Sequence, residues 1–77
     1  MGVEIIPQTK VALTQRQLDC LRWVALGKSS TDIASILQIS HNTVDEHLAN
    51  ACARLGVRTR LQAALLVARS GLIDIDP

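Results

Sequence analysis

Four small polar residues, each standing just ahead of an apolar helical pattern, cut this chain into helices before any other property is considered. Thr14 with Gln17 forms a capping box, and Leu13 with Leu18 supplies the hydrophobic staple around it. Ser29 with Asp32 opens a second, short helix, and an acid in a first turn suits the positive end of the helix dipole. Ser40 caps a third helix, stapled by Ile39 and Val44, and Thr59 with Gln62 makes another capping box. The stops are as clear at three places. Gly27, Gly56 and Gly71 follow the first, third and fourth patterns, where the left-handed conformation that ends a helix is cheap for glycine. The first helix is expected from Gln15 to about Leu26, and the fourth from Thr59 to about Ser70. Between the second and third helices lies only Gln38-Ile39.

The apolar spacing agrees with this division. Cys20, Leu21, Val24 and Ala25 share one face of the first helix, and Ile33, Ala34 and Leu37 give the second its buried side. Val44, Leu48, Ala51, Cys52 and Leu55 form one stripe along the third. No strand-like alternation, internal repeat or low-complexity tract appears. The expected fold is all-α, a four-helix bundle containing a helix-turn-helix: a short helix, a tight turn and a longer capped helix. Residues 1–12 contain a proline and no helical period, and read as a tail or interdomain linker ahead of a domain over residues 13–77.

In a helix-turn-helix the second helix normally lies in the major groove, with its N-terminal residues on base edges. At about 100° per residue, a core-facing stripe from Val44 to Leu55 turns Asn42, Glu46, Ala49, Asn50 and Ala53 directly outward. Asp45 flanks one side of that face, and Thr43 with His47 the other. The face is small and polar, which suits a groove and equally suits plain solvent.

Composition narrows the remaining classes. With 77 residues the chain has room for one small domain, which buries only about 60% of its unfolded surface and gains from a partner. No apolar run approaches the ~18 residues of a membrane span, and no basic segment with an apolar core opens the chain, so a cytoplasmic protein is expected. Cys20 and Cys52 lie far apart on apolar stripes and read as free thiols of a reducing compartment. His41 and His47 fall on different faces, so no metal or cofactor is expected. Trp23 reads as a packing residue. No nucleophile sits beside a base and no glycine-rich phosphate loop appears, so an enzyme is not expected. Net charge is only +1, but Thr14 to Arg69 holds seven basic residues against four acidic ones, a better balance for a nucleic-acid binder.

The chain resembles the LuxR-type (GerE-like) DNA-binding domain, most of all its quorum-sensing branch. The residues that carry the resemblance run from Leu13 to Ile73: LTQRQLDCLRWVALGKSSTDIASILQIS, then NTV..HL.NA..RLGVRTRLQAA, then ARSGLI. The resemblance implies a transcription-factor domain that dimerises, often through its last helix, and binds a two-fold symmetric DNA site. By motif position it implies base contacts at Asp45, Glu46 and Ala49, which Asn42 and Asn50 join as candidates from the same outward face. It places Thr43, His47, Ser29, Thr31, Arg58 and Arg60 beside phosphates, and Lys28 and Arg54 complete the basic set. Leu61, Leu65, Leu66 and Ile73 give the fourth helix more apolar surface than one small core needs, and part of them is expected to form a dimer seam. Double-stranded DNA and a second copy of the chain are the implied partners, with RNA polymerase a further candidate. The quorum-sensing branch carries an acyl-homoserine lactone domain ahead of this one. Met1-Gly2 followed by a linker-like stretch fits a C-terminal piece of such a regulator slightly better than a naturally short chain.

Three departures stand out. Many family members have lysine at the position of Asp45 and an apolar or aromatic residue at that of Glu46, and position 49 is Ala rather than a polar or basic residue. A carboxylate can accept from the cytosine N4 amino group in the major groove, so Asp45 or Glu46 reads a cytosine, or Glu46 serves only to disfavour non-specific DNA. The competing class is a protein-interaction module that heterodimerises with a related regulator and inhibits its DNA binding.

Overall fold

The computed structural model describes residues 12–74. They form α1 (Gln15–Ala25), α2 (Ser30–Leu37), α3 (His41–Leu55) and α4 (Arg60–Arg69), with no strand among the described residues. The proposed linker, apart from Ala12, lies outside them.

Each helix starts where its cap predicts. The Thr14 hydroxyl accepts from the Gln17 N–H at 3.0 Å, and Gln17 Oε1 accepts from the Thr14 N–H at 2.9 Å. The same reciprocal pair joins Ser29 to Asp32, at 3.2 and 3.3 Å, and Thr59 to Gln62, at 3.1 Å each way. Helix α3 differs. Ser40 accepts from the Thr43 N–H at 3.0 Å, but the third helical position is Thr43, whose hydroxyl meets that of Ser40 at 2.8 Å instead of reaching back to the Ser40 N–H.

The helices end alike. Behind each, an N–H bonds to a carbonyl five residues earlier: Lys28 to Trp23, Ile39 to Ala34, Val57 to Cys52 and Leu72 to Val67, at 2.9–3.1 Å. This is the Schellman arrangement, which needs a left-handed residue at its centre. Gly27, Gly56 and Gly71 fill three of those centres, and Gln38, at φ 58°, fills the fourth. Expected ends shift by one residue only: α1 stops at Ala25 with Leu26 as its cap, and α4 at Arg69 with Ser70 as its cap.

The buried core comprises Cys20 and Leu21 of α1, Ile33 of α2, Val44, Leu48 and Ala51 of α3, and Ala63, Ala64 and Val67 of α4. Helix α3 packs against all three of the others, and α1 also packs against α4. The small Ala51, Ala63 and Ala64 let the helices approach closely; Leu21, Ile33 and Leu48 are the largest fully buried side chains, each worth roughly 1.5–3 kcal/mol of burial. Leu13, Leu18 and Ile39, the expected staples, pack on this cluster partly buried, as do Trp23 and Cys52. Trp23 carries the Arg22 guanidinium 5.2 Å from its ring centre. Burial pushes the Cys20 thiol pKa up, so it stays protonated and unreactive.

Candidate nucleic-acid interface

The core-facing stripe of α3 fixes what its opposite face presents. Asn42, Glu46, Ala49, Asn50 and Ala53 are exposed, and Thr43, Asp45 and His47 are half-buried along its two flanks. No long apolar side chain interrupts this surface. A groove of about 420 Å³ beside it brings Ala49 and Ala53 together with Arg58 and Arg60.

Asp45 is already engaged. The Ser30 hydroxyl of α2 donates to its Oδ1 at 2.8 Å, and Arg60 Nη2 of α4 reaches the same oxygen at 3.2 Å. Arg60 Nη1 also donates to the Ser30 hydroxyl, and His41 Nδ1 stands 3.6 Å from Asp45 Oδ2. The Ser30 hydrogen bond, then that of Arg60, holds the Asp45 carboxyl below its usual range. Asp45 thus ties the starts of α2 and α4 to the flank of α3. Glu46, one position on, is exposed and has no hydrogen bond or ion pair among the described residues.

The basic candidates divide similarly. Arg60 is drawn into the Asp45 cluster, while the Arg58 side chain and Lys28 are exposed without a side-chain partner among the described residues. Arg54 Nη1 donates to the Ala12 carbonyl at 3.0 Å, which fixes its guanidinium at the start of α1. The Ser29 hydroxyl accepts from Asp32 and caps α2; Thr31 is exposed in the first turn of that helix. Sequence reasoning had no place for Ser30, because only the packing of α2 on α3 brings it to Asp45.

Helix α4 presents Leu61 at 57%, Leu65 at 54% and Leu66 at 39% exposure, with Leu72 at 51% just beyond. Ile73 is different from the three leucines grouped with it: it is half-buried and packs on the core. Among the described residues no three His, Cys, Asp or Glu side chains gather as a metal site, and no helix is long and apolar enough to cross a membrane.

A short capped helix, a left-handed turn at Gln38 and a longer helix with a polar face bordered by arginines define a helix-turn-helix DNA-binding domain. Residues 11–67 match the family described as GerE: Bacterial regulatory proteins, luxR family, and the chain belongs to that family. The quorum sensing-dependent transcriptional regulator VjbR of Brucella abortus is 43% identical over 63 residues, covering 82% of this chain and 24% of that protein. The structure of the transcription factor GerE superposes with a TM-score of 0.77 at 36% identity, covering 83% of this chain and 96% of that one. The crystal structure of Escherichia coli SdiA gives 0.81 at 36% identity, covering 96% of this chain and 30% of that one. The chain spans 20–30% of the length of the first curated relatives it matches.

Proposed function

We propose that this LuxR-family domain is the sequence-specific reader of a quorum-sensing-type transcriptional regulator, and that it binds a two-fold symmetric DNA site as a homodimer. The observation that carries the reading is the outward face of α3, where an unpartnered Glu46 stands beside Ala49 between basic flanks. A carboxylate there accepts from a cytosine N4 amino group, while Asn42 offers the bidentate chemistry suited to adenine. Asp45 takes a different part. Its oxygens face Ser30 and Arg60, so it orients the arginine rather than reading a base. Arg58, Arg60, Lys28, Thr31, Thr43 and His47 hold phosphates on either side, aided by the positive end of the α3 dipole. Leu61, Leu65 and Leu66 form the seam between two copies, and RNA polymerase is the further partner that a transcriptional regulator implies.

The test is selection of bound duplexes from a random pool, followed by base-scanned binding of Glu46→Ala. A cytosine in each half-site should lose its preference by about 1–3 kcal/mol, with other positions unchanged. An unaltered preference at every base overturns the reading by Glu46. Failure of the wild-type chain to bind any duplex at low salt, with the exposed leucines of α4 pairing it to a related regulator, supports the interaction-module reading instead.

A further inference from the structure

A second groove of about 420 Å³ lies on the other flank of α3, lined by Gln17, Asn50, Ala53 and Arg54. Gln17 is the buried polar residue of the described fold, at 7% exposure. Its Oε1 is held by the Thr14 N–H, which fixes which end of the amide is nitrogen. The Nε2 donors have no acceptor among the described residues. Buried donors are rarely left so without a ligand or water to receive them. Beside them stands Arg54, with one nitrogen anchored to the Ala12 carbonyl and its other N–H groups available, and the exposed amide of Asn50 one turn earlier on α3. Donors line this groove and no carboxylate does, a composition suited to an anion.

Its position selects which anion. Helix α3 has 15 residues, a length of roughly 22 Å at 1.5 Å per residue, whereas the major groove is about 12 Å wide. With the N-terminal half of α3 among the bases, the half bearing Asn50 and Arg54 passes the edge of the groove, where the sugar-phosphate backbone runs. Arg58 and Arg60 lie on the opposite flank.

We propose that the groove between the start of α1 and the C-terminal half of α3 is a seat for a DNA backbone phosphate, with Gln17, Asn50 and Arg54 donating to it, across α3 from the phosphates met at Arg58 and Arg60. The inference rests on the DNA-binding reading and moves Asn50 from the base edges to the backbone. Gln17 then has two roles, its oxygen capping α1 and its nitrogen binding DNA.

The two roles separate in Gln17→Glu. A glutamate still completes the capping box, so the fold and melting temperature should hold, but the donors become acceptors and carry negative charge. Binding of the full chain to its selected duplex should fall about tenfold or more, equally for every sequence variant of the site. Phosphate-ethylation interference on the wild type should show a backbone position in each half-site that disappears in Gln17→Glu. Arg58→Gln serves as the reference. If the wild type binds, Arg58→Gln weakens it, and Gln17→Glu leaves both affinity and the interference pattern unchanged, the phosphate seat is refuted while the DNA-binding reading stands. If the wild type binds no duplex, the broader reading fails first.

Discussion

Replacing Gln38 by glycine should stabilise the domain, and the size of the effect follows from the turn that joins α2 to α3. Gln38 sits at φ 58° and ψ 47°, the left-handed region that an L-residue enters at a cost of roughly 1–2 kcal/mol. The Ile39-to-Ala34 bond at 3.1 Å holds it there. Its side chain is exposed and makes no hydrogen bond among the described residues, so truncation removes little. Against the relieved strain stands the greater freedom that glycine has in the unfolded chain, about 0.5–1 kcal/mol. The difference is a gain of about 0.5–1 kcal/mol, or roughly 2–8 °C in melting temperature for a domain of this size. The reverse experiment is Gly56→Ala, at φ 70° with no atom within 4 Å of the added Cβ. It should lose about 0.5–1 kcal/mol, the same left-handed strain less the same unfolded-chain freedom. Urea unfolding at fixed pH, with m-values compared so that unfolded-state changes are not mistaken for stability, measures both. A loss of stability in Gln38→Gly would refute the reasoning, because the turn would then owe its shape to the glutamine side chain and not to the helix-ending hydrogen bonds.

Two further outcomes follow from the surface. The partners of Asp45 lower its pKa, so its contribution to stability is present above the unfolded value of about 3.9 and is lost as pH falls through the lower folded value. Urea midpoints of the wild type should therefore drop more steeply between neutral pH and strong acid than those of Asp45→Asn, and parallel curves would remove Asp45 from the account. Leu65→Glu, at an exposed position, should leave the melting temperature nearly unchanged yet turn a dimer into a monomer by analytical ultracentrifugation and weaken binding to the two-fold site. A Leu65→Glu chain that stays dimeric would place the seam elsewhere, and a wild type that is monomeric on DNA would refute the homodimer.

The helix starts were legible because three depend on two residues three apart and the fourth on Ser40 with its Ile39 and Val44 staple, and Thr14, Ser29, Ser40 and Thr59 all cap the helices expected of them. The stops at Gly27, Gly56 and Gly71 were legible for the same local reason. The end of α2 was not marked, since glutamine carries no preference for the left-handed region and is held there by a hydrogen bond that α2 itself supplies. At the site, helical period alone turned Glu46 and Asn42 outward. The commitment of Asp45 was hidden, because Ser30 and Arg60 each stand fifteen residues away and meet it only through packing. Gln17 was read as the partner of the Thr14 cap, which it is; that its nitrogen end is buried depends on the seating of α1 against the rest of the bundle.

The local starts and stops also bear on time. A helix that carries both its ends within a few residues can form in about 0.1–1 μs, so the chain reaches its helical segments before their packing is settled. The remaining step is docking, above all of α1 against α4, which are the most distant in sequence. Helical topologies of this kind fold within microseconds to milliseconds. After a transient opening the polar face of α3 is therefore rebuilt quickly. A destabilising substitution in the core will show in DNA binding as a smaller population of competent molecules, with no slow phase of recovery.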